Sequence, residues 1–179
     1  TGPVRDDYRW TDYETGEVGV DFTDDRGKWE RRTFASREDD IVVTHLSASS
    51  TGAPVDLDLG ITPPDEMAVE SGSIASGLRY KQLAADDGSW IGQVGHYPSY
   101  AVSELKDGGF AGVTYVVTKG GTKSRYVVDK PLGSRAVAGS QRFGVSVRGA
   151  EEVFLVTASD RDVKMGLLAD FAAQQDFAV

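Results

Sequence analysis

Apolar and polar residues alternate in short bursts along most of the chain, divided by Gly, Asp, Ser and Pro. This is the period of half-buried strands and their turns. From Glu17 to Phe22, Val18, Val20 and Phe22 share one face. Asp24-Asp25-Arg26-Gly27 then supplies turn chemistry and Lys28 to Ala35 returns as the partner strand, which predicts a hairpin. Ile41 to Ala48 is a third strand and Ser49 to Pro54 a turn. Val55, Leu57, Leu59 and Ile61 then alternate with Asp56, Asp58 and Gly60, so one face of that strand meets water. Pro63 and Pro64 stop it, because neither donates to a ladder. Glu66 to Gly77 is Ser- and Gly-rich and reads as a long surface connection. Further strands are predicted over Leu78 to Ala85, Trp90 to Val94, Phe110 to Lys119, Ser124 to Asp129, Arg142 to Arg148 and Val153 to Ala158.

Nine or ten such strands suffice for two packed sheets, so the fold class is mainly β: an antiparallel two-sheet β-sandwich, supersandwich-like. A short C-terminal helix is the exception. Ser159 or Asp160 can cap it, and Val163, Leu167, Leu168, Phe171 and Ala172 form a 3.6-residue stripe. Residues 1–158 are thus expected to form the sandwich and 159–179 a helical segment.

Composition narrows the functional classes. A length of 179 residues suits one well-cored domain. The longest apolar runs fall far short of the ~20 residues of a spanning helix, so no membrane partner is expected. A net charge of −9, with 19 basic against 28 acidic residues, opposes the phosphate attraction on which nucleic-acid binding rests. No cysteine is present, which removes thiolate metal sites, Cys nucleophiles and redox pairs. There is no asparagine either. The chain opens Thr1-Gly2-Pro3, without Met or an apolar signal segment, and is expected to be cut from a longer polypeptide.

Candidate chemistry is sparse. Glycoside hydrolysis needs two carboxylates about 5 to 10 Å apart. The pairs Asp6-Asp7, Asp24-Asp25, Asp39-Asp40, Asp86-Asp87 and Glu151-Glu152 all fall in expected turns or termini, where acids ordinarily solvate and cap the backbone. No pair is selected as catalytic. His45 and His96 have no metal-ligand spacing, and no metal or cofactor is expected. No Gly-X-Ser-X-Gly elbow occurs, and Gly108-Gly109 and Gly120-Gly121 read as turns rather than phosphate loops. His96 sits in the aromatic run Gly95-His96-Tyr97-Pro98-Ser99-Tyr100, read as a loop. With Trp90, Tyr97 and Tyr100 it is the candidate carbohydrate-binding platform, since the C–H face of a sugar ring stacks on π surfaces.

One run order carries a resemblance. Asp7-Tyr8-Arg9-Trp10 leads into a hairpin, and Arg31-Arg32-Thr33-Phe34-Ala35-Ser36-Arg37-Glu38-Asp39-Asp40 precedes the Val-rich Ile41-Val42-Val43. Later come Gly77-Leu78-Arg79-Tyr80 and Val147-Arg148-Gly149-Ala150-Glu151-Glu152-Val153-Phe154-Leu155. Together these segments resemble the amino-terminal domain of glycoside hydrolase family 95, the α-L-fucosidase group of bacteria, fungi and plants. The segment between Ser89 and Arg142 departs from that pattern.

The resemblance implies a secreted parent enzyme whose machinery, a Glu acid and two Asn near an Asp, lies in a later (α/α)6 barrel. No residue of this chain takes those roles, and the missing asparagines agree. The expected function is therefore a non-catalytic domain that supports the barrel and shapes the rim of its cleft, inactive by itself. Its partner would be the catalytic domain of the same polypeptide, with the terminal helix starting the linker. The alternative is a free-standing carbohydrate-binding module that takes an oligosaccharide on the aromatic loop. A compact enzyme with its own acidic pair ranks last, because no motif picks the pair.

Overall fold

The structure, a computed structural model, describes residues 3–48, 53–64, 78–97, 99 and 108–163. Among the described residues it contains eleven strands: β1 (Arg5–Asp12), β2 (Glu17–Thr23), β3 (Lys28–Ser36), β4 (Ile41–Ala48), β5 (Val55–Gly60), β6 (Arg79–Ala84), β7 (Trp90–Tyr97), β8 (Gly108–Lys119), β9 (Thr122–Val127), β10 (Phe143–Ala150) and β11 (Glu152–Val163). They form an eight-stranded sheet in the order β1-β2-β3-β4-β11-β8-β7-β6 and a three-stranded sheet in the order β5-β10-β9. All ladder pairings within the two sheets are antiparallel. The mainly β, two-sheet antiparallel sandwich read from the alternation is the fold observed.

Register decides which side chains meet. Residues directly opposite in an antiparallel pair share a face. Trp29 opposes Phe22 and Ala48, Leu46 opposes Val153, and Ile91 opposes Ala84 and Thr114. These residues line the inner face of the large sheet. Val55, Val145, Val147 and Ala150 of the small sheet close on them to make the core. Polar side chains bind the layers together at one end. Gln82, buried on β6, donates from Nε2 to the Ile61 carbonyl at 2.9 Å and accepts the Phe143 amide at Oε1 at 3.3 Å. Lys123 donates to the Val116 carbonyl at 2.7 Å, and the Arg125 guanidinium lies 5.0 Å from the Phe143 ring centroid.

Aromatic rings lie over glycines on the opposing strand. Trp10 covers Gly19, Phe110 covers Gly95 and Tyr126 covers Gly144; in each pair a Cβ on the glycine would overlap the ring. Tyr97 lies over Gly108 in the same way, its hydroxyl 2.8 Å from where a Cβ would stand. Such pairs fill the gap a strand glycine leaves and help fix register. At the β8–β9 hairpin, Gly120 and Gly121 both have positive φ, 68° and 70°, as a two-residue primed turn requires.

Three expectations need correction. The helix capped at Ser159 or Asp160 does not begin there, because β11 runs through Val163 and crosses the expected domain boundary after residue 158. Its partner β8 is as long, and Ser159, Asp160 and Arg161 keep pairing with Gly112, Ala111 and Phe110. An available partner edge outweighs a weak helical stripe. The rest of that stripe, residues 164–179, lies outside the described residues. A strand at Arg5–Asp12 brings the count to eleven rather than nine or ten. The chain at His96 and Tyr97 is strand rather than loop, since β7 pairs through Tyr97 with Gly108. The connection expected over Glu66 to Gly77 lies outside the described residues, as do positions 49–52 of the turn before β5.

Candidate functional site

The expected sugar platform is not assembled in one place. Trp90 and His96 lie on the same face of β7 but six residues apart, about 20 Å along the strand. Tyr97 points to the opposite, inner face, buried beside Gly108. Tyr100 lies outside the described residues. Reading Gly95 to Tyr100 as a loop gathered these rings, whereas strand pairing separates them.

What register does gather is a row across the outer face of the large sheet. Phe34 opposes Val43, Val43 opposes Val156, Val156 opposes Tyr115, and Tyr115 opposes Trp90. The row crosses β3, β4, β11, β8 and β7, about 19 Å at the usual strand spacing. None of the five is buried; Phe34 is 39% exposed. A parallel row runs Trp10, Gly19, Arg32, His45, Phe154, Val117. In it the Arg32 guanidinium lies 5.7 Å from the Trp10 ring centroid, and His45 stacks on Phe154 at 4.3 Å and 7°. Val117 ends it, 51% exposed.

Beside these rows the surface turns polar. His45 Nε2 and Glu152 Oε2 are 2.9 Å apart, and the Lys119 ammonium reaches both Glu151 and Glu152. The Lys119 and His45 contacts hold the Glu152 carboxyl below its ordinary range. Asp24, buried at the β2–β3 turn, accepts the Trp29 indole N–H at 2.7 Å and both Arg26 Nε and Nη2. The indole bond first, then Arg26, holds its carboxyl far below the usual range. Asp87 is lowered by the hydroxyl and amide of Ser89, and Asp12 by the amides of Glu14 and Thr15. Asp58 is lowered by the Ser146 hydroxyl, then by Arg148. Among the described residues every perturbed carboxyl is thus shifted downward and kept ionised, the opposite of what a glycosidase general acid needs. No group of three or more His, Cys, Asp or Glu that could hold a metal occurs among the described residues.

The outer rows join residues far apart in the chain, yet one signal for them is readable in the sequence. Val153-Phe154-Leu155-Val156 is a continuous apolar run, the mark of a strand covered on both faces. By fold the protein is a two-layer antiparallel sandwich whose smaller sheet covers one side of the larger. Neither a scan against models of known protein families nor a search of curated proteins finds a match.

Proposed function

We propose that this chain is the non-catalytic, amino-terminal supporting domain of a secreted α-L-fucosidase-like glycoside hydrolase, and that the outer face of its eight-stranded sheet packs against the (α/α)6 barrel of the same polypeptide. The observation that carries this reading is the two-sided apolar character of the central strands. Val153 and Leu155 of β11 face the small sheet, while Phe154 and Val156 face outward and are only half-buried. An apolar row about 19 Å long on the face turned away from the small sheet, with none of its five members buried, is the kind of surface a neighbouring domain covers. The run order shared with family 95 supplies the identity of that neighbour. The ionised carboxyls are consistent with chemistry housed elsewhere. The alternative of a module binding sugar through an aromatic loop loses its geometric basis once Trp90 and His96 stand at opposite ends of one strand.

The test uses two proteins. The purified 179-residue chain is expected to leave nitrophenyl α-L-fucoside unhydrolysed, while the intact parent polypeptide turns it over. Val156→Asp in the parent, which places a charge in the middle of the row, is expected to lower the parent's thermal stability. Robust turnover by the isolated chain, lost on mutating one of its own acids, would refute the proposal. So would a downstream reading frame without paired helical periodicity.

A further inference from the structure

The outer face of the small sheet is built differently from that of the large one. Strand alternation puts Val145 and Val147 in the core and turns Gly144, Ser146 and Arg148 outward. In register with them lie Gly60 and Asp58 of β5, and Tyr126, Ser124 and Thr122 of β9. The face therefore carries one row Gly60–Gly144–Tyr126 and a second row Asp58–Ser146–Ser124. Tyr126 reaches across so that its phenol end lies over Gly144, and the residue is 37% exposed. Beyond Gly144 the strip stays open, for a Cβ on Gly60 would meet nothing within 4 Å.

Immediately beside that strip is a pre-set polar pair. Asp58 Oδ1 accepts the Ser146 hydroxyl at 2.6 Å and Arg148 Nη2 at 2.7 Å. Arg148 Nη1 donates to the Leu57 and Val147 carbonyls at 2.9 and 2.8 Å. Two Nη1 protons and one Nη2 proton are thus used, and Nε and the second Nη2 proton can turn to a ligand. Asp58 and Arg148 side chains are about half exposed, 53% and 49%. Their rotamers are fixed before anything binds, which removes part of the ordering cost of binding.

We infer that this face binds a neutral oligosaccharide, with one pyranose ring stacked on Tyr126 over the glycine strip and its hydroxyls held by Asp58 and Arg148. The row with the ring and the row with Asp58 and Ser146 are two residues apart along the strands, about 7 Å, so stacking, an acceptor and donors lie within reach of a short oligosaccharide. The two charges of the pair cancel, and the chain as a whole carries −9, so a uronic acid is disfavoured. A protein partner fits the face poorly, because the apolar centre that a stable protein interface buries would here be a single ring. The inference stands on the small sheet alone and does not depend on the barrel reading.

The test is ligand-observed saturation-transfer NMR on the purified chain with cellotriose, xylotriose and galactotriose, with trigalacturonate as the charged probe. At least one neutral trisaccharide is expected to bind, and trigalacturonate to bind more weakly. Tyr126→Ala and Arg148→Ala should each weaken binding at least about fivefold, while Tyr126→Phe stays within about twofold. Because Tyr126→Ala also strips cover from Gly144, Gly60→Val serves as a second variant: its Cβ enters the open strip with no neighbour within 4 Å. It should abolish binding while the thermal unfolding midpoint is kept. Tyr13→Ala removes a tyrosine 93% exposed at the β1–β2 turn and should change nothing. The inference is overturned if no neutral trisaccharide binds, if trigalacturonate binds as well as they do, if binding survives Gly60→Val and Arg148→Ala, or if Tyr13→Ala weakens it as much as Tyr126→Ala.

Discussion

The assignment of faces can be tested on two adjacent residues of β7. Ile91 has no exposed surface and sits between Ala84 and Thr114, with the small sheet packed on it. Ile91→Ala removes three carbons, about 2.4 kcal/mol at ~0.8 kcal/mol per buried methylene. Neighbours as short as Ala84 and Thr114 cannot fill the space, so a cavity term adds to this and the loss becomes about 3–4 kcal/mol, inside the range for such truncations. For a domain of this size that corresponds to a fall of about 6–16 °C in Tm. Trp90→Ala takes away a larger side chain, but from a half-buried position on the other face, and is expected to cost less in the isolated chain. Urea unfolding followed by far-UV circular dichroism measures both, with an unchanged slope showing that only stability has moved. A loss below about 1 kcal/mol for Ile91→Ala, together with a larger one for Trp90→Ala, would mean that β7 is paired one residue out of register and that both faces are exchanged.

Gly95→Ala is expected to destabilise by about 1–3 kcal/mol, because its Cβ would overlap the Phe110 ring and stand 2.8 Å from the Arg79 carbonyl. Adding Phe110→Leu should relieve part of that loss, and a double-mutant cycle in denaturant showing strict additivity would contradict the ring-over-glycine packing. For Asp24, the folded-state pKa is depressed, so the native state holds fewer protons than the unfolded chain. Its stabilisation is then fully present above the unfolded carboxyl pKa of about 3.9 and is lost as pH falls further. Tm measured from neutral pH into the acid range should therefore drop more steeply for the wild type than for Asp24→Asn, and parallel curves would remove Asp24 from the acid limb.

Legibility followed how local each determinant is. β2, β3 and β4 could be read because their alternation is clean and Asp24 to Gly27 marks the turn between the first two. β1 is not legible as a strand: Arg5–Asp12 is polar at nearly every position and fringes the sheet, so burial prints no period on it. The end of β11 was read as helix because a stripe is visible locally, whereas the β8 residues that hold Ser159 to Arg161 in a ladder lie some fifty positions earlier. The site was the least legible part. Trp90, His96 and Tyr97 were grouped by proximity along the chain, and a strand separates near neighbours by length and by face. Tyr126 carries no signal in the sequence, because its position means something only once Gly144 is known to lie opposite, with Gly60 on the strand beyond.

The two outer faces differ in a way that bears on what each can hold. On the large sheet, Phe34, Val43, Val156, Tyr115 and Trp90 spread apolar surface over five strands, and the polar groups next to them, His45, Glu152 and Lys119, already bond to one another. Such a surface gains from losing water over a wide area and offers few directional bonds, which suits a rigid domain and serves a sugar poorly. On the small sheet the apolar contribution is one ring, while Asp58, Ser146 and Arg148 present oriented donors and acceptors on two paired strands that cannot shift without breaking the Val145–Val147 core. That surface gains little from area and much from direction, which suits a hydroxyl-rich ring. Because the core lies between them, a domain seated on the large sheet would leave the small sheet's face in water, so the two uses do not compete.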